Sequence, residues 1–321
     1  TEIWGMFALP NNQLLISTLT KGLFIYENEK MTPWNTEANS FIKKNNSLGG
    51  VKIKDNYITL NSVLDGIIIC DLNGKIIQHI NHAKGLQNNT VLTSFIDNKN
   101  NLWLGLDNGI TFINESAPFT YLGFSYGLST VYASIIFKEN LYVATNQGVF
   151  YHSWKNNMNE EAFKLVEGTT GQAWNLQIIN NQLLCAHNRG ALLLSGNKAI
   201  KTLDDKGYYG FKTIPNKPNF IIGSKYNGFT IFENTTNGWE YKNQIEGFEK
   251  SANTFEVDDT NIWLKKDAVL YKMTFSEDHK KFENIKTFEK LSNKVIGIES
   301  IQRINNKIYF QTNNHFYQYS N

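Results

Sequence analysis

The chain has 321 residues, a formal net charge of +2 at pH 7, 41% hydrophobic residues and 13% aromatic residues. This length suffices for one large β domain or two ordinary domains with a substantial core. The composition excludes collagen, coiled coils, disorder and disulfide-stapled miniature domains, and the scattered basic residues exclude a nucleic-acid footprint. No apolar run reaches the length of a membrane span and no signal peptide is recognisable, so we expect a soluble chain or the soluble part of a longer one.

In chain order, the sequence predicts eight pairs of short strands, each an apolar run, a polar turn and a second apolar run. The pairs are 14–18 with 22–26, 57–60 with 66–69, 102–106 with 109–113, 141–145 with 148–151, 183–186 with 190–194, 220–224 with 228–232, 262–265 with 268–271, and 308–312 with 315–317. Six second runs begin at a glycine for which we expect a positive φ, namely Gly22, Gly66, Gly109, Gly148, Gly190 and Gly228.

These pairs form a repeat. Leu15 and Tyr309 occupy the same place in the first and eighth copies, so the seven steps between them average about 42 residues. That length holds four short strands with turns, which is typical of a propeller blade. The sequence therefore predicts an all-β fold, a β-propeller of four-stranded antiparallel blades, with seven or eight blades. We expect one domain over 1–321, with repeat units of approximately 1–46, 47–89, 90–129, 130–172, 173–207, 208–251, 252–296 and 297–321.

Other local patterns agree with this fold. Only Asn159 to Val166 could form a helical turn or two. The run Val91 to Ile96 predicts an innermost strand, and Asp97 after it predicts a β-turn rather than a calcium loop. We expect Trp103 and Trp263, at one repeat position, to pack between blades. A disulfide between Cys70 and Cys185 is not expected.

The third copy carries a family resemblance. The run 84–91, Lys-Gly-Leu-Gln-Asn-Asn-Thr-Val, continues to the hairpin 101–110, and a second copy opens at 126–131. This pattern resembles the two-component regulator propeller repeat. The resemblance implies an extracytoplasmic sensor propeller of a Bacteroidetes hybrid two-component or LuxR-type regulator. In that family a triple-tyrosine domain, a membrane helix and a kinase or DNA-binding domain follow the propeller, and no catalytic residue is implied.

Catalytic motifs are scarce in this chain. Glu256 and Glu299 fall on predicted inner strands of neighbouring units and could form a glycosidase-like acid and base, although solvated or hydrogen-bonded carboxylates are the preferred interpretation. His79 and His82 point to opposite faces of a strand, so no metal site is predicted. We therefore expect no catalytic residue, no metal ion and no cofactor.

Binding has better candidates. The turns between second and third strands and the segments leading into first strands open on the same face of a propeller. We predict a ligand site there, formed by Trp174, His187, Arg189, Tyr208, Tyr209, Lys225, Tyr226, Lys265 and Lys266. Aromatic rings beside charged donors suit a sugar, and an acidic oligosaccharide is the sharper hypothesis. The alternative is that these aromatic residues pack blades and the lysines are solvated.

The hypothesis from sequence is a non-catalytic, periplasmic sensor module that binds a small molecule or oligosaccharide. We expect no nucleic-acid partner. A second copy of the chain is a possible partner, and a membrane would be contacted only through flanking segments. Two alternatives stay open. One is a propeller enzyme acting on polysaccharide, and the other is a scaffold that binds proteins.

Overall fold

The structure is a computed structural model that describes residues 2–54, 56–114, 122–154, 161–267, 269–291, 294–295, 297–312 and 315–319. Over these residues the chain forms almost exclusively antiparallel β-sheets in which sequential strands are neighbours. The sheets fall into two compact units, Thr1–Tyr126 and Gly127–Asn321. A single domain over 1–321 stays a prediction.

Unit 1 contains three sheets. The first is β1 (Ile3–Ala8), β2 (Leu14–Thr18), β3 (Gly22–Glu27) and β4 (Lys30–Pro33). Helix α1 (Glu37–Asn45) follows. The second sheet is β5 (Ser47–Ile53), β6 (Tyr57–Ser62), β7 (Ile67–Asp71) and β8 (Ile76–Ile80). The third is β9 (Val91–Ile96), β10 (Leu102–Leu106) and β11 (Gly109–Ile113), with short 3₁₀ turns at His82–Lys84 and Phe124–Tyr126.

The described residues of unit 2 form four four-stranded sheets, one three-stranded sheet and one small hairpin. The first is β12 (Val131–Phe137), β13 (Asn140–Thr145), β14 (Val149–Ser153) and β15 (Lys164–Leu165), and the second is β16 (Ala173–Ile179), β17 (Gln182–His187), β18 (Gly190–Ser195) and β19 (Lys198–Asp204). The third is β20 (Tyr208–Ile214), β21 (Lys217–Lys225), β22 (Phe229–Thr235) and β23 (Gly238–Ile245). The fourth is β24 (Thr254–Val257), β25 (Asn261–Lys266), β26 (Val269–Phe275) and β27 (Phe282–Phe288). A small hairpin of β28 (Lys290–Leu291) and β29 (Lys294–Val295) precedes the last sheet, β30 (Ile298–Ile304), β31 (Lys307–Thr312) and β32 (Phe316–Gln318).

All eight predicted strand pairs are present as second and third strands of a sheet. The glycine prediction is also confirmed, because all six glycines have positive φ. At Gly66 φ is +70° and a Cβ would lie 2.1 Å from the carbonyl oxygen of Ile80. At Gly228 φ is +88° and a Cβ would lie 2.4 Å from the carbonyl oxygen of Phe248. These glycines let a fourth strand or a following loop approach the hairpin closely.

The core consists of apolar layers between adjacent sheets of the same unit. In unit 2, for example, Leu184 and Leu193 of one sheet pack with Tyr208, Phe211 and Phe232 of the next. First strands of consecutive sheets also contact each other, as β12 contacts β16 and β16 contacts β20. Each inner sheet is therefore buried on both faces, which explains its nearly continuous apolar strands.

In two of the sheets, the turn before the second strand is held by the same hydrogen bonds to an aspartate side chain. Asp97 Oδ1 accepts hydrogen bonds from the backbone N–H groups of Lys99 and Asn101, and Asp97 Oδ2 accepts one from Trp103 Nε1 at 3.0 Å. These hydrogen bonds hold the pKa of Asp97 below its usual value, and the bond from Trp103 has the largest effect. Asp258 accepts equivalent bonds from Asn261 and from Trp263 Nε1 at 2.7 Å. The β-turn predicted at Asp97 is confirmed.

The packing prediction for the two tryptophans is right only for Trp263. Its ring is fully buried and packs on Phe310 of the last sheet and on Tyr319, which follows that sheet's final strand. The Trp103 ring packs on Phe112 of its own sheet and is 40% exposed. Position in the repeat therefore fixes the hydrogen bond to aspartate but not the burial of the ring.

One helix escaped the sequence analysis. Helix α1 begins after Thr36, whose Oγ1 accepts a hydrogen bond from the N–H of Asn39. The side chain of Asn39 in turn accepts a hydrogen bond from the backbone N–H of Leu23, so a polar side chain holds the helix on β3. The predicted turn at 159–166 lies partly outside the described residues, and its described part is irregular except for the two-residue strand β15.

Candidate functional site

Four aromatic side chains of unit 2 form a continuous, partly exposed surface, which we call the aromatic ledge: Tyr132, Trp174, Tyr209 and Tyr226. The Tyr132 and Trp174 ring centroids are 4.9 Å apart, those of Trp174 and Tyr209 5.6 Å, and those of Tyr209 and Tyr226 4.6 Å. Tyr132 and Tyr226 are each 41% exposed, and Trp174 and Tyr209 are half-buried. The ledge therefore offers solvent a surface of ring edges and faces drawn from three consecutive sheets.

Hydrogen bonds hold three of the four rings. Trp174 Nε1 donates to the Tyr226 hydroxyl at 2.7 Å, and Gln172 Nε2 donates to the Tyr132 hydroxyl at 2.9 Å. The Tyr226 ring also lies over Gly207, where a Cβ would come within 2.8 Å of it. The rings are thus fixed by partners on neighbouring strands, and this reduces the entropy that they would lose on contact with a ligand.

Three ledge residues share a structural origin. In β12, β16 and β20 the register with the second strand skips one residue, and the skipped residues are Tyr132, Trp174 and Tyr209. Such a β-bulge bends the strand and redirects one side chain away from the regular alternation. Tyr226 comes instead from the turn between β21 and β22. The ledge therefore combines three residues from the beginnings of first strands with one residue from a turn between second and third strands.

The same bulge recurs in other sheets, where it presents other side chains. The skipped residues there are Trp4 in β1, Leu92 in β9 and Glu299 in β30. Trp4 and Leu92 are each 47% exposed. The repeat thus provides one variable, solvent-facing position in most of its sheets.

Three predicted site residues, Tyr208, Lys225 and His187, lie inside the protein instead. Tyr208 is fully buried, and its hydroxyl donates to Asp204 Oδ2 at 2.5 Å and lies 3.1 Å from Thr230 Oγ1. Lys225 is 6% exposed, with Nζ 3.7 Å from Asp204 Oδ2 and donating to Gln244 Oε1 at 3.2 Å. Burial, and then the bond to Asp204, raises the pKa of Tyr208. This buried network lies directly behind Tyr209 and Tyr226, the next residues in the chain.

His187 and Arg189 lie in and beside the turn between β17 and β18. His187 is buried, its Nε2 lies 3.2 Å from the carbonyl oxygen of Thr169, and its Nδ1 accepts the backbone N–H of Arg189 at 3.1 Å. Burial, chiefly, lowers the pKa of His187, so the imidazole is neutral near pH 7. The Arg189 side chain is exposed. His187 is thus a structural residue of the turn, whereas Arg189 is available at the surface.

Lys265 and Lys266 are half-buried at the end of β25, and Lys266 Nζ donates to Ser251 Oγ at 2.9 Å. Neither lysine has a ring contact or hydrogen bond with the ledge. Of the nine predicted site residues, the structure therefore joins Trp174, Tyr209 and Tyr226 in one surface. It adds Tyr132, which the sequence analysis missed.

The possible catalytic pair has a different setting from that of a glycosidase. Glu256 is 7% exposed and forms an ion pair with Lys212 of β20, whereas Glu299 is exposed at its bulge. Within the described parts of the chain, no three His, Cys, Asp or Glu side chains are grouped as metal ligands. Cys70 and Cys185 are both buried free thiols, and burial raises the pKa of Cys70 to about 12.

One further histidine is electrostatically constrained. His279 is 6% exposed, adopts a φ of +57°, and lies with Nε2 3.2 Å from Lys217 Nζ. Lys242 lies over the ring of Phe220, which stacks on His279. Burial and then the charges of Lys217 and Lys242 lower the pKa of His279, while Asp278 opposes them.

No protein-family model matches the chain, and no curated protein matches it. Solved structures, in contrast, do match the chain. The chain is similar to the extracellular domain of a putative hybrid two-component system from B. thetaiotaomicron, with 16% identity and a TM-score of 0.66. That similarity covers 99% of this chain and 45% of the other, so the chain spans less than half the length of that relative.

Two weaker similarities accompany it. One is the WD40 β-propeller domain of Doa1, with 12% identity, a TM-score of 0.44, and coverage of 99% of this chain and 92% of the other. The other is a second extracellular domain of a putative hybrid two-component system from B. thetaiotaomicron, with 14% identity, a TM-score of 0.40, and coverage of 99% and 59%. The repeated antiparallel sheets and the first match establish an all-β fold of propeller blades. Seven or eight blades stays a prediction.

Proposed function

We propose that this chain is a non-catalytic sensor module of a bacterial signal-transduction system that binds an oligosaccharide on the aromatic ledge. The observation that carries the proposal is the contact series of Tyr132, Trp174, Tyr209 and Tyr226 on three consecutive sheets. Aromatic rings stack on the apolar faces of sugars, and the hydroxyl groups of tyrosine bond the sugar's polar edge.

The setting of the module is part of the same proposal. The fold similarity to a putative two-component extracellular domain supports a position outside the cytoplasmic membrane, namely the periplasm. No helix in the described ranges is both long and apolar enough to cross a membrane. Attached domains, with a kinase or transcriptional output, would carry the signal onward, and a second copy of the chain is a possible partner.

Signalling requires that the ligand bind two arrangements of the sensor with different affinity. A ligand that binds both equally shifts no population. The ledge satisfies this requirement if the relative positions of its three sheets change, because each sheet contributes at least one ring. Oligosaccharide binding would then favour the arrangement in which the rings are in register with consecutive sugars.

The test is a thermal-shift screen of the chain against neutral and acidic oligosaccharides, with Trp174→Ala and Trp154→Ala as paired variants. Trp154 is 44% exposed and follows β14, away from the ledge rings, so it controls for the loss of a surface tryptophan. A ligand at a hundred times its Kd should stabilise the chain by about 2.7 kcal/mol. We expect this stabilisation in the wild type and in Trp154→Ala, and its loss in Trp174→Ala.

Two results would overturn the proposal. If no oligosaccharide stabilises the chain, a protein-binding scaffold becomes the better description. If an oligosaccharide is cleaved and Glu256→Gln abolishes the cleavage, the chain is a propeller enzyme. The ion pair between Glu256 and Lys212 favours neither a free acid nor a free base at this position.

A further inference from the structure

The turn between β17 and β18 is tied by its backbone to the segment that leads into Trp174 of the aromatic ledge. The N–H of Asn188 donates to the carbonyl oxygen of Gln172 at 2.8 Å, and Gln172 precedes Trp174 by two residues. The side chain of Gln172 also reaches the Tyr132 hydroxyl. Arg189, the next residue in the turn, is therefore tied by the backbone to the strand that carries Trp174.

The turn itself is well fixed. The Arg189 N–H donates to His187 Nδ1, and the other ring nitrogen of His187 lies 3.2 Å from the Thr169 carbonyl oxygen. Gly171 lies against the same ring, because a Cβ there would come within 3.1 Å of His187 Cε1. The buried imidazole thus anchors the backbone of the turn while the Arg189 side chain projects into solvent.

Arg189 differs from Lys225 and Lys266 in having no side-chain partner among the described residues; Lys265 has none either, but it is half-buried on β25 and has no contact with the ledge. Among the described residues it forms no ion pair, whereas Lys225 is bound by Asp204 and Gln244 and Lys266 by Ser251. The neighbouring His187 is neutral. Arg189 is consequently the predicted site cation whose charge and planar set of donors are both available to a ligand on the ledge.

We propose that the ledge ligand is an acidic oligosaccharide whose carboxylate pairs with the Arg189 guanidinium while its rings stack on Trp174 and Tyr132. This inference rests on the proposed function and names its ligand class. The guanidinium fork matches a carboxylate through two parallel hydrogen bonds, which a point-charged lysine does not offer. Arg189 is then the residue that sets specificity, and the aromatic rings supply affinity that is common to neutral and acidic sugars.

Titration calorimetry on the full chain tests this assignment with oligogalacturonates, oligomannuronates and chondroitin disaccharides, each beside its carboxyl-reduced counterpart. We expect at least one acidic probe to bind about 5- to 10-fold more tightly than its reduced counterpart at low salt. That preference should decline as the salt concentration rises, because Arg189 is exposed and its pairing is screened.

Two charge variants provide the comparison. Arg189→Gln should remove the preference for the acidic probe over its reduced counterpart. Lys286→Gln, on the exposed outer strand β27, removes the same charge elsewhere and should retain the preference.

The failures of the two proposals are distinguishable. Equal binding of acidic and reduced probes that still depends on Trp174 would overturn the carboxylate assignment and keep the proposed function. Persistence of the acidic preference in Arg189→Gln would overturn the role of Arg189. If no acidic probe, no reduced probe and no neutral oligosaccharide binds the chain, the carboxylate assignment and the proposed function are both overturned.

Discussion

Tyr208 and Tyr209 are adjacent in the chain, but the structure predicts that replacement by phenylalanine lowers stability strongly at Tyr208 and very little at Tyr209. Tyr208→Phe keeps the fully buried ring and removes only the hydroxyl that bonds Asp204 and faces Thr230. Tyr209→Phe removes a hydroxyl that forms no hydrogen bond with the described residues. The pair therefore isolates the contribution of the buried network from that of the phenol group in general.

The expected loss for Tyr208→Phe follows from its partners. A hydrogen bond to a charged group contributes roughly 1.5–3 kcal/mol, and Thr230, with no exposed surface, is left without this neighbour. Asp204 keeps Lys225 at 3.7 Å, which limits the damage. We expect the free energy of unfolding to fall by about 2 kcal/mol for Tyr208→Phe, and to change by less than about 0.5 kcal/mol for Tyr209→Phe.

Alkaline pH supplies an independent check. The pKa of Tyr208 is raised in the folded chain, so the unfolded chain loses this proton first, at about pH 10. The stabilisation from Tyr208 is complete below about pH 10 and is lost as the pH rises further. Tyr208→Phe should weaken this alkaline loss of stability.

Equilibrium urea unfolding, followed by circular dichroism at pH 7 and above pH 10, measures both effects. Equal losses for Tyr208→Phe and Tyr209→Phe at pH 7 would refute the reasoning from the buried network. Oligosaccharide affinity provides the functional contrast, since Tyr209→Ala should weaken it and Tyr208→Phe should not.

Five other substitutions test four separate features. Trp263→Ala should lower the free energy of unfolding by about 3–5 kcal/mol, and Trp103→Ala by clearly less because its ring is 40% exposed; urea unfolding that reverses this order contradicts the packing account. Below about pH 6.5 the unfolded chain binds a proton that folded His279 resists, so stability should fall between pH 7.5 and 5.5, and less so in His279→Asn. Gly228→Ala should lower the free energy of unfolding by at least about 1 kcal/mol, because φ at this position is +88°. An unchanged urea midpoint would argue against this backbone strain. Glu256→Gln should lower the free energy of unfolding, measured with urea, by about 1–3 kcal/mol, because it breaks the ion pair with Lys212. The same substitution should leave the release of reducing sugars from polysaccharides unchanged.

The second and third strands were accessible from the sequence because their signal is local. An apolar run, a turn and a glycine at positive φ are all encoded within about a dozen residues, so every predicted hairpin is present. Helix α1 carried no comparable signal. Two of its four buried residues are Asn39 and Asn45, which a hydrophobic period cannot register.

The site was accessible only in part, for a reason specific to the bulges. Alternation along β20 does not reveal that the register skips Tyr209, and hence that Tyr208 turns inward to Asp204. Lys225 was likewise assigned to the surface because its half-buried carboxylate partner, Asp204, lies on another strand. Tyr132 was missed because the copies were compared at their second strands. Alignment at the first strands places Tyr132 with Trp174 and Tyr209.

The skipped register of the first strands has an evolutionary consequence. A residue that a bulge turns outward takes no part in the regular pairing, so it can be exchanged with little effect on the layers behind it. Trp4, Leu92, Tyr132 and Glu299 already show how different the occupants of this position are. A lineage could therefore diversify what such a surface recognises by changing one codon per module, while inheriting the framework intact.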